Sequence, residues 1–118
     1  IDCDVLKVAH HGSSTSSTAA FLEKYSFEYA MISSGTHAGH KLPRQDALDR
    51  MINMEVYRTD KNGTIVLSVN KSGEMIFRAE KKSTQKQNHI GNDVKMTTTS
   101  MRKSIPSDMR SLFFVNAA

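Results

Sequence analysis

The sequence predicts an α/β domain: a mixed β-sheet with flanking helices. Three observations carry that prediction. Short apolar runs of strand length recur at residues 5–9, 29–33 and 56–59. Between them lie two stretches whose apolar residues fall at helical spacing, 19–25 and 47–52. After the third run the pattern changes to turn-separated strands at 64–69 and 74–79, so the order reads β-α-β-α-β-β-β with an antiparallel edge.

The first run, Val5-Leu6-Lys7-Val8-Ala9, is almost continuously apolar, as a strand buried on both faces should be. It ends in His10-His11-Gly12, and Gly12 predicts a turn, because a residue without Cβ turns the backbone at no steric cost. Residues 13–18 are all Ser or Thr, which favour helix caps, so a helix is expected to start near Ser16 or Ser17 and to end near Tyr25. The second run, 29–33, leads through Ser34-Gly35 into a loop, 36–42, that holds His37 and His40. Pro43 suits the first position of a helix, where its missing N–H costs nothing, and Asp46 suits the first turn. Ala47, Leu48, Met51 and Ile52 then mark one face of a helix of about three turns. Asp60-Lys61-Asn62-Gly63 predicts a hairpin from the third strand to the fourth, since Asn-Gly favours tight hairpin turns. A second turn at 70–73 joins the last two strands.

The division expected from composition is a folded part at 1–79, a polar basic linker or arm at 80–104, and a short apolar segment at 105–118. Residues 1–79 hold nine Lys/Arg and nine Asp/Glu, so the formal charge of +4 resides wholly in 80–118. Residues 80–104 lack aromatics and are poor in apolar side chains, too little to offset the entropy of ordering, and His89 within them reads as solvated. Ser107–Val115 regains apolar residues and predicts a short helix capped by Ser107 or Asp108. Cys3 is the single cysteine, which excludes an internal disulfide and a CxxC motif and leaves a small buried hydrophobe as its expected state. No apolar run approaches the roughly 20 residues of a membrane-spanning helix. A core-like strand starting four residues after Ile1 is expected of a fragment or processed product.

Four of the five histidines, His10, His11, His37 and His40, sit at the C-terminal ends of two predicted strands. Side by side, those strands would bring the imidazoles to one rim, where open α/β sheets place their ligands. Successive side chains on a strand point to opposite faces, so His10 and His11 can share a site only if the backbone turns between them. One could then bind a metal while the other contacts a phosphate oxygen or a leaving group. Two imidazoles alone cannot hold a catalytic metal, which takes three protein ligands and an open position.

The stretches DVLKVAHHGSSTSS, YAMISSG, GHKLPRQDALDRM and VYRTDKNGTIVLSV together resemble the C-terminal half of a metallo-β-lactamase-fold hydrolase, in the competence-protein (ComEC-like) branch associated with DNA uptake. The resemblance covers about residues 4–79. It implies half of an αββα sandwich with one or two divalent metals, Zn or Mn, at the rim, and hydrolysis of phosphodiesters or nucleic acid in the complete protein. Carried over residue by residue, it implies His11 as metal ligand, His10 and His40 in the catalytic set as phosphate contacts (His10 being also the alternate ligand), and Ser13 and His37 in substrate binding. The family's HxHxDH motif does not occur in these 118 residues, and Gly39-His40-Lys41-Leu42-Pro43 carries two extra residues between His and Pro. The expected partners are therefore the missing N-terminal half or a second copy, with nucleic acid as substrate. The alternative is a non-catalytic interaction or nucleic-acid-binding module that uses the basic tail.

Overall fold

The three apolar runs form one parallel sheet. In this computed structural model, which describes residues 3–36 and 39–91 and the backbone of 110–115, β1 (Val5–Lys7), β2 (Tyr29–Ile32) and β3 (Glu55–Arg58) pair in that order. Leu6 lies opposite Ala30, and Ala30 opposite Val56. Parallel neighbours need a crossover, and α1 (Ala19–Lys24) and α2 (Gln45–Arg50) supply the two. Strand alternation then sorts the side chains. Leu6, Val8, Ala30, Ile32 and Val56 pack with Leu22 of α1 and with Ala47, Leu48 and Met51 in and after α2.

Met31 belongs to a second core with Ile65 and Leu67, flanked by Val5, Tyr57, Met75 and Phe77. This core joins the parallel sheet to an antiparallel one in which β4 (Ile65–Val69) lies between β5 (Met75–Ala79) and β6 (Arg110–Val115). The ring of Phe77 stacks on Tyr57 at 4.4 Å and meets Tyr29 at 4.8 Å. Burial, and then the bond from its hydroxyl to Glu55, push the Tyr57 phenol well above its usual range. The class is α/β, and its parallel and antiparallel parts are two sheets facing each other, with α1 and α2 on the far side of the parallel one. Leu48 is fully buried between α2 and that sheet. Leu48→Ala is expected to lower the unfolding free energy by about 2–5 kcal/mol in a denaturant titration; a loss below about 1 kcal/mol would contradict this packing.

Several elements depart from expectation. The hairpin after β3 is instead one turn of helix, α3 (Thr59–Asn62). The Asn62 side chain accepts the Arg58 N–H at 2.9 Å, and Gly63 follows at φ 68°, so Asn-Gly turns the chain from one sheet into the other. A Cβ on Gly63 would come within 2.7 Å of the Glu80 carboxylate. Helix α1 is capped by Thr18, whose hydroxyl accepts the Phe21 N–H, rather than by Ser16 or Ser17. Pro43 precedes the α2 cap residue Arg44, across a cis Leu42–Pro43 bond, and α2 is six residues long. Cys3 is free and only half-buried.

The stretch expected to be an extended arm is ordered from Glu80 to Gly91. Lys81 N–H donates to Asn62 O at 2.8 Å, and α4 (Gln85–Asn88) begins with a capping box between Thr84 and Gln87. His89, read as solvated, is buried with Nδ1 2.6 Å from Gln85 O and Nε2 3.1 Å from Met51 O. Polar side chains dock this segment, which is why a hydrophobic pattern did not reveal it. Arg110–Val115 pairs with β4 as a strand rather than forming the expected helix, in keeping with the strand preference of Leu-Phe-Phe-Val. The remainder of 92–118 lies outside the described residues.

Candidate functional site

The carboxyl ends of the three parallel strands meet at one rim. β1 is prolonged by a ladder bond from Val8 N–H to Met31 O at 2.9 Å, then breaks into a 3-10 turn, Ala9–Gly12. Three successive residues there are left-handed: His10 (φ 50°), His11 (φ 53°) and Gly12 (φ 81°). The backbone does turn between the two histidines. For each imidazole residue the left-handed conformation costs roughly 1–2 kcal/mol, so the turn must be held from outside.

Four contacts hold it. Ser13 N–H donates to His10 O at 3.0 Å, and Arg44 N–H to Gly12 O at 2.9 Å. The Ser16 hydroxyl lies 2.9 Å from Ala9 O and 3.2 Å from Ser13 O. His11 Nδ1 lies 2.6 Å from Ser33 O, just past β2. A carbonyl oxygen only accepts, so Nδ1 carries a proton, and in the neutral ring the lone pair is then on Nε2. His11 is exposed, and among the described residues Nε2 has no hydrogen-bond partner. A carbonyl that fixes ring and tautomer in this way is the usual support of a metal-binding imidazole. His10 is exposed and its ring has no hydrogen bond among the described residues.

β3 reaches the same rim through Thr59, whose buried hydroxyl accepts Ser34 N–H at 2.9 Å and donates to Ser34 O at 2.7 Å. Beneath the rim the fully buried Arg58 grips both Asp60 carboxylate oxygens and donates to Asn88 O at 2.9 Å and to Ile90 O. The Ser-rich loop that leaves the turn is held from α2. Arg50 donates from Nη2 to Ser14 O at 3.0 Å and Ser16 O at 3.1 Å, and from Nε to Ser17 O at 3.1 Å. The Ser14 hydroxyl donates to Asp46 Oδ1 at 2.7 Å, and Arg50 pairs with Asp46 at 3.4 Å. Chiefly that Ser14 bond, with help from the Ala47 N–H and Arg50, holds the Asp46 carboxyl below its usual range.

A carboxyl lowered in this way stabilises the folded loop above its ordinary pKa and loses that contribution as pH falls through the lowered value. The loop is therefore expected to loosen at acid pH before the sheet does. Amide shifts of Ser14 and Ser16 followed against pH, beside those of β2, check this; simultaneous change would contradict it.

His40 is exposed in the loop after β2, and His37 lies outside the described residues. Ser13 is half-buried, with its hydroxyl 3.1 Å from Thr15 Oγ1, inside its own loop. Among the described residues no three of His, Cys, Asp and Glu come together as a metal-binding group. These residues by themselves therefore do not make a metal centre, and what they offer one is a single oriented imidazole. Arg50, Thr59 and Arg58 escaped the sequence reading; an arginine inside an otherwise apolar strand, followed two residues on by Asp60, was the available signal.

Fold and rim together define an α/β domain that presents a fixed imidazole at the carboxyl end of a parallel sheet. Comparison with known proteins agrees in part with the resemblance read from the motifs. The chain is similar to ComE operon protein 3 of Bacillus subtilis (strain 168), 40% identical over 67 residues, which is 55% of this chain and 9% of that protein. It is also similar to competence protein ComA of Neisseria gonorrhoeae, 37% identical over 71 residues, 58% of this chain and 10% of that protein. The chain thus spans about a tenth of the length of the curated relatives it matches. No family model matches it, and no solved structure does. Among the described residues no helix is long and apolar enough to cross a membrane.

Proposed function

We propose that this chain supplies the histidine-bearing strand end of a divalent-metal phosphodiesterase of metallo-β-lactamase type, working on nucleic acid in DNA uptake. A second segment completes the site. The observation that carries this is the His11 ring, fixed by Ser33 O through Nδ1 so that Nε2 is left as a ligand lone pair. The names of the two competence relatives support the DNA-uptake setting. The motifs DVLKVAHHGSS and VYRTDKNG support the hydrolase reading. His11 is the ligand in this proposal. His10, beside it on the same left-handed turn, serves as phosphate contact, and His40, Ser13 and His37 are the further substrate contacts.

The test is calorimetric titration of the chain with Zn²⁺ and Mn²⁺. One imidazole gives weak binding that His11→Ala abolishes and His10→Ala leaves. Tight stoichiometric binding would mean a complete centre within the chain, and binding indifferent to His11→Ala would mean a different ligand; either contradicts the proposal.

A further inference from the structure

We propose that Arg50 is a positioning residue for His11, acting through the Ser14–Ser17 loop; this rests on the reading of His11 as a ligand. An arginine paired with an exposed aspartate one helical turn away is ordinarily a weak surface ion pair, and the 3.4 Å separation of Arg50 and Asp46 fits that description. The remainder of the guanidinium does something else. Nη2 and Nε point across to another element and donate to the carbonyls of Ser14, Ser16 and Ser17, at 3.0 to 3.1 Å. A single planar fork thus fixes three peptide groups of a loop that has no secondary structure of its own. Lysine, with one compact ammonium, cannot reproduce that geometry.

From there the connection to His11 is short. Ser16, whose carbonyl Arg50 holds, is the residue whose hydroxyl donates to Ala9 O. Ala9 opens the left-handed turn, and Ser13 N–H closes it on His10 O. The His11 ring reaches Ser33 O only while that turn persists. Asp46 has a supporting part: it takes the Ser14 hydroxyl and one guanidinium nitrogen, and so aims the fork. The strand end presents its imidazole in one orientation because a side chain from α2, an element the histidines do not belong to, holds the following loop shut.

The consequence is read at His11 itself, in long-range ¹⁵N–¹H spectra of the imidazoles. The natural protein shows one tautomer for His11, protonated at Nδ1. In Arg50→Lys and Arg50→Ala the two tautomers average, and the Nδ1 proton exchanges with water at least about tenfold faster. Asp46→Asn, which leaves the three carbonyl bonds in place, has a smaller effect. Ser16→Ala breaks the link to Ala9 without touching α2, reproduces the Arg50→Ala result, and carries the test should Arg50→Ala not fold. Zn²⁺ affinity falls about tenfold in Arg50→Lys, the scale expected when the support of a ligand is lost. An unchanged His11 tautomer in both Arg50→Lys and Ser16→Ala overturns the proposal. If Arg50→Lys releases the His11 ring but the natural chain binds no Zn²⁺, the positioning role stands and the metal-ligand reading falls.

Discussion

Arg58→Ala is expected to destabilise the fold by about 3–5 kcal/mol. Arg58 is fully buried, and its guanidinium holds both oxygens of Asp60, itself almost fully buried at its side chain, together with the last carbonyls around α4. Removing it leaves a carboxylate without its counter-charge and two backbone acceptors without their donor, which costs far more than the pair contributes as a unit. Two features of the result are diagnostic. Adding Asp60→Asn to Arg58→Ala should recover part of the loss, because the orphaned charge goes with it. The loss should also appear first as detachment of 80–91, seen as faster amide exchange there than in β2. A loss under about 1 kcal/mol in urea titration, or one that Asp60→Asn deepens, would show that Arg58 does not anchor this segment.

Gly12→Ala is expected to cost about 2–5 kcal/mol. Its φ of 81° is open to glycine and costs alanine roughly 1–2 kcal/mol. The added Cβ would also stand 2.4 Å from Pro43 Cβ and 3.1 Å from Pro43 Cα, a contact that forces the turn and the loop before α2 apart, at about 1–3 kcal/mol. The expected signature is therefore double: a lower unfolding free energy and loss of the single His11 tautomer. Stability within about 0.5 kcal/mol of the natural chain would mean that the turn is not pressed against Pro43.

How much of this was legible in the residues follows from what each element depends on. β1, β2 and β3, and the helical face of Ala47, Leu48 and Met51, announce themselves because burial on a sheet or against one repeats at a fixed period. Their adjacency, which brings His10 and His11 to the end of β1 beside Ser33, was only a condition in the sequence and comes from the parallel pairing of β1 with β2. Asn62-Gly63 misled because a tight hairpin and a one-turn helix ending in a left-handed glycine use the same two residues; the Arg58 N–H to Asn62 bond decides between them, and it is a contact of the fold. Residues 80–91 were misread because Arg58, Asn88 and His89 dock them through backbone carbonyls and Gln85 by accepting the Val56 N–H, and hydropathy does not record a polar contact. At the rim, the motif pointed to His10 and His11, but not to which ring is fixed. That depends on Ser33 O and on a left-handed backbone at His10 and His11, which non-glycine residues seldom adopt.

The most direct measurement is Zn²⁺ titrated into the ¹⁵N-labelled chain while the ring nitrogens of all five histidines are followed. His11 Nε2 should shift first and furthest, with Nδ1 keeping its proton to Ser33, while His89 stays still. Selective movement of His10 or His40 with His11 unchanged, or a His11 ring protonated at Nε2 from the outset, would contradict the account.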